Sequence, residues 1–191
     1  MTDATVRAFV AVELNTAIRD ALAKVQRRLR TANARVSWVH PDRMHLTVVF
    51  LGDLPVDAVP RVANGLEDIA RNTPPFQLQL AGGGAFGPPR RPRVIWAGVN
   101  DEAGALQAVH QQVAQRLVEA NVGFDERPFT PHLTLGRVRA RHGLDQLATL
   151  LERIEWPTDV SMTVRQIHLL QSHLGAQGAT YETLHAAALA G

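Results

Sequence analysis

Two copies of one short motif pair a histidine with a threonine two residues later. His45-Leu46-Thr47 and His132-Leu133-Thr134 are identical tripeptides, and their histidines are 132 − 45 = 87 residues apart in a chain of 191 residues. Side chains alternate faces along a strand, so each histidine and its threonine would point one way while the apolar neighbours point the other. Each motif therefore predicts a strand that buries one face and presents an imidazole beside a hydroxyl on the other.

Two histidines and two threonines that face one cleft meet the requirements of phosphodiester cleavage. In-line displacement at phosphorus needs a base on the attacking oxygen and an acid on the leaving oxygen. Imidazole has an ordinary pKa of about 6.5, so near pH 7 one ring can be neutral and the other charged. Threonine hydroxyls can donate hydrogen bonds to the non-bridging oxygens. A single His-x-Thr pair is more often a half-buried structural histidine, but two matched copies favour an acid–base site. The motifs by themselves do not distinguish the acid from the base.

Other catalytic chemistries lack their sequence signatures. The chain has no cysteine, and it contains no HExxH motif, no histidine pair four residues apart and no Gly-x-Ser-x-Gly. We therefore expect acid–base chemistry that uses no metal and no cofactor. The remaining six histidines are interpreted as structural or surface residues: His40, His110, His142, His168, His173 and His185.

Strands and helices alternate around the motifs without the glycine-rich turns of a dinucleotide fold. An amphipathic helix is predicted from Asn15 or Thr16 to about Thr31, with Ile18, Leu22, Val25 and Leu29 on one stripe. Strands are predicted at Val6 to Glu13, at Met44 to Leu51 with its end at Gly52, and at Pro131 to Val138. A Gly- and Pro-rich loop is expected from Gly82 to Pro92. No segment resembles a linker, so the pattern predicts one compact α+β or mixed α/β unit.

Arginine supplies nearly all of the positive charge. Lys24 is the only lysine among 20 basic residues, and the formal net charge is +2. Arg90, Arg91 and Arg93 lie close together in the Pro-rich loop, and the planar guanidinium suits phosphate oxygens. The alternative is a solvated loop in a chain that is rich in arginine throughout. Composition thus permits an anionic partner without requiring one.

The sequence gives no indication of membrane insertion. Its longest apolar runs, such as Leu46 to Leu51, are far shorter than the roughly 20 residues that span a bilayer. Asp3 and Arg7 lie near the N-terminus, where the apolar segment of a signal peptide is absent. We expect a cytoplasmic protein with no membrane partner and no obligatory protein partner, acting as a monomer.

Longer segments around the motifs resemble the two-histidine phosphoesterase superfamily, and within it the RNA 2′,3′-cyclic phosphodiesterase family, also called the 2′-5′ RNA ligases. The resemblance extends over nearly the whole chain. It is carried by Arg7 to Leu14, by Trp38 with His45 to Gly52, by Phe129 to Arg137, and by Leu169, Ser172, Leu174, Gly178 and Tyr181.

The resemblance implies a fold, an activity and a role for each site residue. The fold would be a bilobal α+β domain over residues 1–191, with duplicated βαβαβ units, antiparallel sheets that flank a central cleft, and one HxTx motif per lobe. The activity would be hydrolysis of a terminal RNA 2′,3′-cyclic phosphate to a 2′-phosphomonoester, with a reversible 2′-5′ ligation. His45 would be the proton donor to the leaving 3′ oxygen and His132 the proton acceptor that activates water. Thr47, Thr134 and Arg137 would bind the phosphate.

Two other interpretations remain at this point. The chain could act on a different cyclic phosphate, such as a cyclic nucleotide. It could instead be a non-catalytic RNA-binding module of the same fold. Two complete motifs argue against the second alternative, because binding alone needs no paired acid and base.

Overall fold

The computed structural model describes residues 4–88, 91–175 and 178–190. Within these residues the chain forms nine strands and four α-helices. The strands are β1 (Thr5–Glu13), β2 (Val36–Trp38), β3 (His45–Pro55), β4 (Phe76–Phe86), β5 (Val94–Asn100), β6 (His132–Val138), β7 (Ser161–Val164), β8 (Gln166–Gly175) and β9 (Gly178–Ala188). The helices are α1 (Thr16–Arg30), α2 (Val59–Arg71), α3 (Ala105–Glu119) and α4 (Leu144–Arg153). The mixed architecture predicted from the sequence is confirmed.

The strands form one curled antiparallel sheet whose centre is the pair of motif strands. The strand order is β7-β4-β5-β6-β3-β1-β8-β9, and β2 pairs separately with β6. Strands β3 and β6 meet through a single register pair, Leu46 with Leu133, and both leucines are fully buried. Strands β1, β8 and β9 lie on the β3 side, whereas β5, β4 and β7 lie on the β6 side. The two motif strands therefore lie side by side at the centre of one sheet, with the other strands on either side of them.

Helix α1 begins where its sequence predicts. The Asn15 side-chain oxygen accepts a hydrogen bond from the Ile18 backbone N–H at 2.9 Å, which satisfies one of the free donors of the first turn. The predicted apolar stripe is buried, and it comprises Ile18, Leu22, Val25 and Leu29.

Helices α1 and α3 each cross to the opposite half of the sheet. Helix α1 follows β1 in the chain, yet it contacts α4 and β7 on the β6 side. Helix α3 follows β5, yet it contacts β3 and α2 on the β3 side. As a result, each motif strand is covered by a helix from the other half of the sequence.

Strands β3 and β4 continue past glycines that the sequence pattern placed at the end of a strand or in a loop. Strand β3 does not end at Gly52 but continues to Pro55, and Gly52 adopts φ +70° beside a point where the pairing with β1 skips Leu51. Such a backbone angle suits glycine at a bulge within a strand.

Strand β4 continues through Gly83, inside the expected loop, to Phe86. A Cβ atom on Gly83 would lie 2.2 Å from the Trp156 indole. The glycine is therefore explained by the close approach of that side chain and not by a turn.

Candidate active site

The register of β3 against β6 brings the two motifs together. Because Leu46 pairs with Leu133 in an antiparallel arrangement, His45 lies beside Thr134 and Thr47 lies beside His132, all on the face opposite the leucines. All four side chains line one cleft of about 520 Å³. The structure thus brings the four residues predicted from the two tripeptides to a single surface.

Backbone carbonyls orient both imidazoles in the same way. Nδ1 of His45 lies 3.1 Å from the Arg43 carbonyl oxygen, and Nδ1 of His132 lies 2.7 Å from the Thr130 carbonyl oxygen. A carbonyl oxygen can only accept, so each Nδ1 carries the proton and donates it. Nε2 is then the ring nitrogen of each histidine that is left for proton exchange in the cleft.

Aromatic rings pack around His45. Its ring centroid lies 4.7 Å from that of Phe9 and 4.8 Å from that of Tyr181, which meets it edge-on at 81°. Burial lowers the pKa of His45, and its electrostatic interactions with the Arg137 and His132 side chains lower it further. The Arg43 carbonyl and the Glu13 carboxylate oppose this change in part. A pKa below its ordinary value favours the neutral ring of His45 near pH 7.

The surroundings of His132 are more open. Phe86 meets the His132 ring edge-on, with centroids 4.9 Å apart at 89°, and Phe86 in turn stacks on Trp96 at 5.2 Å. The two histidines therefore have matching backbone bonds but different neighbours. This difference breaks the symmetry that the identical tripeptides suggest.

Each motif strand contains one extra residue directly after its threonine. In β3 the pairing with β1 passes from Thr47 to Val49 and skips Val48. In β6 the pairing with β5 passes from Thr134 to Gly136 and skips Leu135. An extra residue in one strand is a β-bulge, and it shifts the alternation of side chains by one position.

The two bulges turn the third residue after each threonine toward the cleft. Phe50 follows Thr47 by three positions and Arg137 follows Thr134 by three, and both line the cleft. Uninterrupted alternation would direct both side chains to the opposite face. Arg137, predicted as a phosphate ligand, therefore lies in the cleft, whereas the corresponding Phe50 was not predicted from the sequence. In the structure the shift appears as two consecutive buried residues after each threonine, Val48-Val49 in β3 and Leu135-Gly136 in β6.

Several further residues line the cleft that the sequence did not assign to a site, among them His110, which was interpreted as a structural or surface residue. His110 and Phe129 stack face to face, with centroids 4.2 Å apart at 8°. Arg127 donates to both carboxylate oxygens of Asp125 and lowers the pKa of that carboxyl. Burial raises the pKa of the Tyr181 hydroxyl, while nearby arginine side chains oppose the change.

The arginine-rich loop is separate from the cleft lining. Arg91 and Arg93 are exposed and are not among the residues that line the cleft. Arg90 lies outside the described residues. Of the arginines that the sequence analysis singled out, Arg137 on β6 is thus the one that lines the cleft.

Metal-ligand clusters and membrane-spanning helices were also sought in the described ranges. No group of three or more histidine, aspartate or glutamate side chains is arranged there to hold a metal ion. No helix among these residues is both long and apolar enough to cross a bilayer.

A curled antiparallel sheet that presents two His-x-Thr strands to one cleft defines an α/β protein with a duplicated two-histidine site. The sequence profile of the 2′-5′ RNA ligase superfamily matches residues 17–176. The chain belongs to this superfamily.

Individual relatives are similar over almost their whole length. An RNA 2′,3′-cyclic phosphodiesterase of Methanothermobacter thermautotrophicus is 34% identical over 177 residues, which cover 92% of this chain and 95% of the relative. The protein of the same name from Archaeoglobus fulgidus is 31% identical over 93% of this chain and 97% of its own.

Solved structures have the same fold. A crystal structure from Thermus thermophilus superimposes with a TM-score of 0.81 at 27% identity, over 97% of this chain and 98% of that one. LigT of Escherichia coli in its apo form superimposes with a TM-score of 0.79 at 24% identity, over 98% and 99% of the two chains.

Proposed function

We propose that this protein is an RNA 2′,3′-cyclic phosphodiesterase that hydrolyses a terminal cyclic phosphate to a 2′-phosphomonoester by metal-free acid–base catalysis. The observation that carries the proposal is the matched pair of imidazoles. Each donates Nδ1–H to a backbone carbonyl, so both have Nε2 left for the same cleft. Relatives that bear this activity in their names resemble the chain from end to end, which supports the same substrate class.

The reaction needs one proton removed and one delivered. Nε2 of His132 takes a proton from a water molecule, whose oxygen attacks phosphorus. The bond from phosphorus to the 3′ oxygen breaks on the opposite side, and Nε2–H of His45 delivers a proton to that oxygen. The phosphate stays on the 2′ oxygen. A positioned acid and a positioned base each contribute about 10²–10⁴-fold to such a reaction.

The substrate itself prepares His45 for its role as the acid. Burial keeps the pKa of this histidine low, and a neutral ring with its proton on Nδ1 has no proton on Nε2 to deliver. A phosphodiester carries a negative charge, and an opposite charge within about 4–6 Å raises a histidine pKa. Substrate binding should therefore be coupled to proton uptake at His45, which readies the donor only when a phosphate is present.

Hydroxyl and guanidinium groups complete the phosphate site. Thr47 and Thr134 lie beside the imidazoles and donate to the two non-bridging oxygens, which holds the phosphorus in line between the histidines. Arg137 supplies positive charge at the same site, as its effect on the pKa of His45 indicates. One chain contributes every group, so we propose that a monomer is active, and an RNA substrate implies the cytoplasm as its location.

The test is turnover of an oligoribonucleotide that ends in a 2′,3′-cyclic phosphate, assayed with a strong chelator present. We expect a 2′-phosphomonoester at an unchanged rate. A 3′-phosphomonoester would overturn the assignment of the leaving oxygen. Loss of activity that only added divalent metal restores would overturn the metal-free mechanism, and no turnover of RNA ends beside rapid turnover of a cyclic mononucleotide would indicate a different substrate class.

A further inference from the structure

The carbonyl groups of the two bulge residues are both bound by side chains from helices. Nδ1 of His110 donates to the Val48 carbonyl oxygen at 2.9 Å. Nε2 of Gln26 donates to the Leu135 carbonyl oxygen at 2.8 Å. Val48 and Leu135 are the extra residues of β3 and β6. The same backbone group, at the same place in each motif, is therefore held in the same way.

The Gln26 side chain is buried, and its amide nitrogen donates to two backbone carbonyl groups. It is 3% exposed, and its amide donates a second hydrogen bond to the Val39 carbonyl oxygen at 2.8 Å. A buried glutamine with both N–H groups on backbone carbonyls fixes two segments relative to each other. One of these segments is the bulge of β6, and the other is the stretch after β2 whose Val39 lines the cleft.

His110 is fixed on two sides. Its Nδ1 donates to Val48, and its ring lies flat against Phe129 at 4.2 Å. Because the carbonyl can only accept, the bond also sets the tautomer of His110. The His110 ring thus forms part of the cleft wall, and its hydrogen bond to Val48 fixes both the orientation of the ring and the backbone of the β3 bulge.

The two donors come from the crossed helices. Gln26 is on α1, which follows β1, but it holds the motif strand of the other half. His110 is on α3, which follows β5, but it holds the first motif strand. Each half of the sequence thus supports the bulge of the other half.

We propose that Gln26 and His110 are positioning residues that fix the two bulges and thereby direct Arg137 and Phe50 into the cleft. This inference rests on the proposed function for its meaning in turnover. Gln26 acts through Leu135 on Arg137, which binds the phosphate. His110 acts through Val48 on Phe50, which forms the cleft wall beside the first motif. Neither donor needs to touch the substrate.

Double-mutant cycles test the assignment because a residue that acts only through another loses its effect when the other is removed. Gln26→Leu should raise both KM and the Kd for adenosine 2′-monophosphate about 10-fold, the effect of losing roughly 1.4 kcal/mol, and should change kcat less. In an Arg137→Ala background the same substitution should change Kd less than about 2-fold. Gln111→Leu, at an exposed position on α3, is the matched control and should leave Kd unchanged.

The His110 arm uses a pair of complementary variants. His110→Phe keeps a ring against Phe129 and removes the donor, whereas His110→Asn keeps an N–H near the position of Nδ1 and removes the ring. We expect weaker binding in His110→Phe, recovery in His110→Asn, and no effect of His110→Phe once Phe50→Ala is present. Gln26→Leu should remain fully additive with Phe50→Ala, because these residues belong to different bulges.

The outcomes are separable from those of the proposed function. Additivity of His110→Phe with Phe50→Ala, or of Gln26→Leu with Arg137→Ala, overturns the positioning role, because the donors would then bind the ligand directly or stabilise the fold in general. If Gln26→Leu does not fold, the His110 arm decides alone, since that ring is only half-buried. Coupling in the binding of adenosine 2′-monophosphate without turnover of cyclic-ended RNA overturns only the proposed function, and failure of the wild-type protein to bind this nucleotide overturns both.

Discussion

Replacing each motif histidine with asparagine isolates proton transfer from the structural role of the ring. An asparagine amide can donate to the carbonyl that now accepts from Nδ1, at Arg43 for His45→Asn and at Thr130 for His132→Asn. It has no titratable nitrogen in place of Nε2. Each variant should therefore remain folded and lose only the group that exchanges the proton.

The expected loss follows from the role of each group. A general acid or base contributes about 10²–10⁴-fold, so each single variant should lose about 2.7–5.4 kcal/mol of transition-state stabilisation. The double variant should be little worse than the worse single, because the acid and the base act as a unit. His142→Ala is the control, since this exposed histidine lies outside the cleft lining and should retain full turnover.

The dependence of kcat on pH tests the assignment of acid and base. The wild-type profile should be bell-shaped, with a rise as the base loses its proton and a fall as the acid loses its own. His45→Asn should remove the fall at high pH, and His132→Asn should remove the rise at low pH. The opposite result would reverse the two roles, and near-normal turnover in either folded variant would refute the acid–base pair altogether.

Three further results are expected. Thr47→Val and Thr134→Val should each lower kcat/KM by roughly 10- to 150-fold, since a hydrogen bond to a charged acceptor is worth about 1.5–3 kcal/mol. The matching serine variants keep the hydroxyl and should stay close to wild type. A valine variant that keeps its kcat/KM would exclude that hydroxyl as a phosphate ligand. The pKa of His45 is lower in the folded than in the unfolded protein, so unfolding takes up a proton below about pH 6.5, and the free energy of unfolding should decrease as the pH drops below that value. The melting temperature of His45→Gln should therefore fall less between pH 7 and 5 than that of the wild type. An equal fall in both proteins would contradict the lowered pKa. Alanine at both Arg91 and Arg93 should lower kcat/KM for a cyclic-ended oligonucleotide and leave kcat/KM for a cyclic mononucleotide unchanged, with the largest decrease at low salt. An equal decrease for both substrates would exclude an RNA contact away from the cyclic end. No decrease for either would favour the solvated loop.

The two motif strands could be predicted from the sequence because local pattern and tertiary environment agree there. In both tripeptides a leucine separates the histidine from the threonine, and a period of two is sufficient to place the polar pair on one face. Helix α1 could be predicted equally well, since Asn15 caps it and its apolar residues recur at helical spacing. The repetition of the motif then indicated a shared site without any knowledge of the contacts.

Glycine was the main source of error along the chain. Gly52 and Gly83 were expected to end a strand and to lie in a loop, respectively, but both lie inside strands. The reasons differ: Gly52 adopts a positive φ at a bulge, whereas Gly83 is required by the close approach of Trp156, 73 positions further along the chain. No local pattern reports such a contact.

The residue types of the site and the strands that carry them could be predicted without any structure, because alternation is a property of the backbone alone. Alternation by itself would direct Phe50 and Arg137 away from the cleft; Arg137 was expected there from the family resemblance alone, and the three-dimensional fold was needed to place Phe50 and to explain both positions. Their placement depends on a bulge after each threonine, and both bulge carbonyls are bound by side chains from the opposite half, Gln26 and His110. A bulge changes the face of the residues that directly follow it, and each bulge here is held by a hydrogen bond between residues distant in the chain.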